Sequence, residues 1–469
     1  MMKTQLVARR RLVFAIICLT QFFMIVNSTI VVIALPPIQR DLGFGVEGLT
    51  WVVNSYLLVF GGFLLLGGRI ADIFGRKQVF LIGVSVYTVA SLFAGLATTA
   101  EILLAARSLQ GLGAAVVIPT TLSILLASFP PGPERRRALS IWAAFNFTGA
   151  SVSLFVGGLL THTLSWSAIF LVNVPVGLIV VAAAARWMPM WTRISGSIDL
   201  GGALLVTSGS VLLVYAVLNA RQESWISPTT LAAGIVAVIL LGTLTLVEHF
   251  HSAPLITPSI FRERTLTIAV VTLPIMAGGV MAVGVLMTLY FQNIREYSPL
   301  QTGMAFLAPT GMVVIGSLTT NHMLRWLGAG IVAPAALFLI AAGTILLTRV
   351  GPNSEYVTVA LPGLSVMNLG VGYGSVTLIG LATAKLPNTD TGLVSGLVRA
   401  AEQIGGALGI AVYSSAAAVG TASSAAPTHS GTAIVNGYQF AFWCVAAVII
   451  CWCLFLMVAL RKPHQSLLR

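Results

Sequence analysis

Three charged side chains fall inside long apolar runs, where an ion is expensive to hold: Arg107, Arg399 and Glu402. A carboxyl group kept away from water is one of the few side chains that can carry a proton in such a place. Arg399 stands three residues before Glu402 on the same helical face, so the two form either a structural ion pair or a proton carrier beside a cation. A close Arg keeps a Glu ionised, so the two readings compete and both stay open. Arg107, Gln110, Gly111 and Ala114 follow the i, i+3, i+4, i+7 spacing of one helical face. That face is small and polar and belongs in the interior of a helix bundle. The alternative for Arg107 is to snorkel along its helix to the nearer interface.

Two further constellations could do chemistry. Asn27, Ser28 and Thr29 interrupt an apolar run, and Thr20, Gln21, Met24, Asn27 and Ser28 lie on one helical stripe, which should face the bundle interior. An amide neither takes nor releases a proton near neutral pH, so Asn27 can bind a ligand or brace helices but cannot carry a proton. Asn54, Tyr56, Asn146, Tyr290 and Asn368 are also polar groups at helix depth; with Asn27 and Ser28 they are candidates to line a substrate cavity. Interhelical hydrogen bonding is the plainer account of each. In GGRIADIFGRK, Asp72 sits among Arg69, Arg76 and Lys77, with Gly75 at the turn. A carboxylate paired with cations across a helix seam can hold one conformation and release it in another. The alternative is a solvated turn whose basic residues set orientation.

The elements that must position these residues follow from composition. Of 469 residues, 57% are hydrophobic and 8% charged, against roughly 25% charged in soluble domains, so the chain is read as an all-α polytopic membrane protein. At roughly 20 apolar residues per crossing, fourteen spans are expected, near 12–36, 49–68, 78–98, 102–127, 138–161, 166–188, 199–219, 229–248, 267–291, 301–321, 328–348, 356–384, 392–419 and 434–460. Most of the 25 Lys and Arg residues then share a side with the termini. Only Arg40, Arg221, Arg295 and Arg349 fall in opposite loops, so both termini are expected in the cytoplasm. The basic loops account for the net charge of +12 without nucleic acid. MMKTQLVARRR leads into the first run without a small-residue cleavage site, which predicts a retained first span.

Internal repetition organises the spans. GGRIADIFGRK after the second span has a degenerate echo, NHMLRWLGAG, after the tenth. Two related six-helix halves are therefore expected, 1–190 and 265–469, with two inserted helices and their loops in 191–264. Cys18, Cys444, Cys451 and Cys453 all lie in apolar runs and read as small core residues, so no metal or cofactor is expected. No GxxxxGK[ST] loop and no HExxH is present; Gly149-Ala-Ser151 is too faint a protease match, and no enzymatic activity is expected.

Several stretches together identify a resemblance. LGGRIADIFGRK, RSLQGLGAAVVIP, STIVVIALPPIQRDL, WVVNSYLLVFGGFLLLGGR, WSAIFLVNVPVG, YFQNIREYSPLQTGMAFLAP and GLVRAAEQIGGALGIAV lie in order from about residue 24 to 412. They resemble the fourteen-span drug:proton antiporters of the major facilitator superfamily, the QacA/EmrB type. The resemblance implies a monomeric transporter in the cell membrane that exports amphipathic drugs or antibiotics by alternating access in exchange for protons. It makes Arg107 a cation tuning a nearby titrating group, and Asp72 with Arg76 a gate. A gradient-independent facilitator or a transporter-derived sensor is the alternative, because the chain departs from pattern at several positions. Asn27 stands where those exporters usually carry Asp, and Val32 where they often carry Asn. Glu402-Gln403 replaces the usual Arg-Gln, with the basic residue at 399, Ser153-Leu154 replaces Gly-Pro, and Ser167 follows Trp166 where Arg is common.

Overall fold

The computed structural model describes residues 2–129, 134, 138, 141, 152–153, 155–190, 200–222, 224, 226–250, 263–383, 391–424, 427 and 430–460. Every regular element among them is helical, as expected of a chain whose backbone polar groups must be satisfied without water. Ten of these helices are long and apolar enough to cross a membrane. Three shorter apolar helices, Gly48–Leu64, Leu204–Val217 and Pro228–Thr243, lie within other runs, while most of the expected span at 138–161 is outside the described residues.

Packing divides the chain into two units, Met1–Gly209 with Ile239–Leu255, and Ser210–Val238 with Ile256–Arg469. The first contains α1 (Met2–Leu42), α2 (Val46–Phe74), α3 (Arg76–Gly95), α4 (Ala100–Ser128), a short α5 (Ala168–Leu171) and α6 (Asn173–Trp187). Helices α7 (Leu200–Gln222) and α8 (Pro228–Phe250), from the expected insertion, contribute residues to both units. The second contains α9 (Arg264–Leu289) ending in a π-turn (Tyr290–Ile294), α10 (Pro299–Leu327), α11 (Ala329–Leu347), a π-turn (Tyr356–Ala360) leading into α12 (Leu361–Thr383), α13 (Thr391–Ala422) and α14 (Gly431–Ala459).

The same packing plan recurs in each unit. In the first, α4 lies against α2 and α3, and α3 also against α6; in the second, α12 lies against α10 and α11, and α11 also against α14. The repeated turn is visible in the backbone. Gly75 alone separates α2 from α3 with φ 101°, and Gly328 alone separates α10 from α11 with φ 74°. Both φ values are comfortable only without a Cβ, so each glycine ends one helix and starts the next within a single residue.

Close packing without a hydrophobic driving force needs small residues at the seams. A Cβ at Gly67 would collide with the backbone of Ala115, and one at Gly111 would fall 2.6 Å from the Tyr56 carbonyl. In the second unit, Gly409 faces the backbone of Gly278 across the α9–α13 seam in the same way. Gly157 packs on Ile30 of α1, where a Cβ would meet its side chain at 2.6 Å. Helix starts are fixed locally: Ser298 and Gln301 form a reciprocal capping box, and Ser430 accepts from the Ala433 N–H.

Candidate functional site

The polar groups at depth in the first unit converge on one guanidinium. Arg107, in α4, is wholly buried, so it does not snorkel. Its Nε donates to the Val52 carbonyl of α2 at 3.0 Å, and its Nη1 donates to Gln110 Oε1 at 2.9 Å and to Asn27 Oδ1 at 3.4 Å. The plane lies over the Tyr56 ring, with Cζ 4.5 Å from its centroid, and 5.9 Å from that of Phe170. Gln110 in turn donates to Ser91 Oγ of α3 at 2.8 Å, and Asn27 donates to the Ile169 carbonyl of α5 at 3.4 Å. Five helices thus meet at one cation.

The helical periodicity explains why these residues meet. Arg107, Gln110, Gly111 and Ala114 share a face of α4; Gly111 lets the α2 backbone approach, which brings Val52 and Tyr56 to the guanidinium. Thr20, Gln21, Met24 and Asn27 are buried as one stripe of α1, and Thr121 of α4 donates to Gln21 Oε1 at 3.0 Å. Ser28, next to that stripe, donates instead to the Ile25 carbonyl of its own helix at 2.8 Å.

Several buried atoms in this region have no partner among the described residues. They are Arg107 Nη2, the hydroxyls of Tyr56 and Tyr87, the Ser55 hydroxyl and both amide atoms of Asn54. Tyr87, Ser91 and Phe170 belong to the site but carry no signal in their own sequence neighbourhoods. The α3–α4 seam, set by Gly83 and Gly113, brings in Tyr87 and Ser91, while Phe170 comes from α5.

The second unit treats its buried charge differently. Arg399 Nη1 and Glu402 Oε2 are 3.0 Å apart on α13, with the arginine side chain 45% exposed and the glutamate 12%. The structure thus forms the ion pair that the i, i+3 spacing allowed. Asn368 is buried and donates to the Leu364 carbonyl of its own helix at 2.8 Å. Tyr290 donates to the Gly351 carbonyl at 2.8 Å, tying the π-turn after α9 to the loop before Tyr356. Asn146 lies outside the described residues.

In the turn motif, Lys77 donates to the carbonyls of Ala185 and Met188, at 2.7 and 2.9 Å. It therefore completes the C-terminus of α6 with a cation, where the helix dipole favours one. Gly75 makes the turn, and Arg69 and Asp72 lie on α2 with side chains outside the described residues. Arg76 opens α3. Elsewhere in the unit, Trp166 donates to Asp41 Oδ2 at 2.7 Å and Arg10 pairs with Glu134 at 2.8 Å.

A chain of apolar helices in two units on one packing plan has relatives among known proteins. The family model described as Major Facilitator Superfamily matches residues 17–410. The chain belongs to the Major Facilitator Superfamily. It is 35% identical over 449 residues to a puromycin resistance protein of Streptomyces alboniger, covering 93% of this chain and 88% of that one. It is also 35% identical over 430 residues to a cephamycin export protein of Amycolatopsis lactamdurans, covering 89% and 88%. A crystal structure of an auto-inhibited POT family peptide transporter shares the fold at a TM-score of 0.70 and 15% identity, covering 97% of each chain. As a member of this superfamily, the protein is a multi-pass membrane transporter of small molecules, not an enzyme.

Proposed function

We propose that the protein exports amphipathic drugs or antibiotics across the cell membrane, and that it does so by alternating access in exchange for protons. The observation that carries this reading is similarity along almost the whole chain to a puromycin resistance protein and a cephamycin export protein. We place it in the fourteen-span QacA/EmrB type, with six-helix halves over 1–190 and 265–469, two inserted helices in 191–264, cytoplasmic termini and a monomeric working state. The in-order motifs and the loop charges support that placement.

In this reading Glu402 exchanges the proton, since Asn27 cannot, and Asp72 with Arg76 gates the cytoplasmic end. Asn27, Ser28, Asn54, Tyr56, Asn146, Tyr290 and Asn368 contribute to the substrate path. The lipid bilayer holds the protein, and the partners are small hydrophobic or amphipathic molecules and protons. A second reading has a specific observation behind it. With an amide at 27 and Glu402 paired to Arg399 at 3.0 Å, a gradient-independent facilitator needs no titrating group.

Proteoliposomes with an imposed pH gradient separate the two. Gradient-driven accumulation of a fluorescent dye that Glu402→Gln abolishes supports antiport through that residue. Transport indifferent to the gradient supports facilitation.

A further inference from the structure

The first unit holds a buried cation, Arg107, none of whose described partners is a carboxylate. Residues 1–190 contain Asp41, Glu47, Asp72, Glu101 and Glu134 as their acidic residues, and every one lies at or beyond a helix end. Asp41 accepts from Trp166, and Glu134 pairs with Arg10. Glu47 and Asp72 fall in the first and last turns of α2, and Glu101 in the first turn of α4. Arg107 is two turns further into α4, and its hydrogen-bond partners are one backbone carbonyl and two neutral amides. Removing a guanidinium from water without an opposite charge is costly, and its attraction for any anion rises in the same low-dielectric surroundings.

The geometry also leaves donors over. Nη2 of Arg107 has no acceptor among the described residues, and neither do the hydroxyls of Tyr56 and Tyr87, although all three groups are fully buried. A full positive charge and the unsatisfied N–H bonds of Nη2, stacked on the Tyr56 ring, make a donor site short of acceptors. Neutral water supplies acceptors but no charge, whereas an anion supplies both.

We propose that Arg107, with Tyr56 stacked against it, binds an anionic group: the carboxylate of the transported molecule, or an inorganic anion such as chloride. Position 27 sets this preference. Asn27 Oδ1 is 3.4 Å from Nη1, so an Asp in its place would form an internal ion pair and neutralise the site. As a statement about cargo, that organic acids are among the exported molecules, the inference rests on the exporter reading above.

The test uses the full-length protein in lipid nanodiscs, with 2-naphthoate, its neutral isostere 2-naphthamide, and sodium chloride as probes. Binding is read from tryptophan fluorescence and from the shift in unfolding temperature. Naphthoate should bind at least roughly tenfold more tightly than naphthamide. Asn27→Asp should remove the preference while leaving the protein folded, and Asn27→Ser, which adds no charge, should keep it. Chloride that protects the protein alone and competes with naphthoate assigns the site to an inorganic anion; naphthoate binding insensitive to chloride assigns it to the cargo. Equal binding of naphthoate and naphthamide with no effect of chloride overturns the proposal, as does a preference that survives Asn27→Asp. Export of a neutral dye without any anion binding removes this site and leaves the exporter reading standing. Anion binding in a protein that transports nothing does the reverse.

Discussion

Arg107 and Arg399 both stand inside apolar helices, yet the two units meet the cost of that charge in opposite ways. Arg107 is sealed among five helices and held by Val52, Gln110 and Asn27 and by the Tyr56 ring. Arg399 is nearly half exposed and carries its own carboxylate three residues along. The first arrangement is tertiary: removing the cation leaves partners on other helices unpaired. The second is local, made within one helix and open to its surroundings, so it contributes little to holding the unit together. Fold stability should therefore depend on the first site, and exchangeable charge should reside in the second.

Substituting the two arginines should break this comparison most visibly. Arg107→Leu strips charge-assisted hydrogen bonds worth roughly 1.5–3 kcal/mol each, and little folded protein is expected on purification. Arg399→Leu should cost under about 1 kcal/mol, read as a small drop in unfolding temperature. Equal losses would erase the distinction between the sites.

The glycine seams should behave alike in both units. Gly67→Leu and Gly409→Leu each drive a side chain into a facing backbone, and overpacking of this kind costs roughly 1–3 kcal/mol. Expression and thermal stability should fall by similar amounts for the two. A loss confined to one unit would argue against a common packing plan.

Smaller effects sharpen the picture. Gln110→Ala removes the link between Arg107 and Ser91 and should cost about 1 kcal/mol in thermal unfolding. Glu402→Gln breaks only an i, i+3 pair, so its effect on stability should stay near roughly 0.3–0.5 kcal/mol. If transport collapses while stability barely moves, Glu402 serves the transport cycle; if both fall together, it is structural.

Much of this is legible in the sequence because membrane helices obey few rules. Apolar runs and the 3.6-residue period are enough to put Arg107 with Gln110, and Asn27 with Gln21, on buried faces. What one helix presents to another is not legible. Ser91 reaches Gln110 because of how α3 is set against α4, at seams such as Gly83 against Val117, and Phe170 comes within 5.9 Å of Arg107 from α5, which packs on α3 and α1. Helix ends also run past the apolar runs, as with α1 at Met2–Leu42 against an expected 12–36, because backbone hydrogen bonding continues where hydropathy stops. Lys77 shows a related limit. Its charge is plain, but its grip on the last carbonyls of α6 follows from a contact more than a hundred residues away in sequence.

The central claim, that the protein moves small organic molecules against a gradient at the expense of protons, is tested most directly in inside-out membrane vesicles. Radiolabelled puromycin uptake would be followed before and after nigericin dissipates an imposed pH gradient. The account predicts accumulation above the equilibrium level that discharges when nigericin is added. Uptake that never exceeds equilibrium, or accumulation unaffected by nigericin, would contradict it.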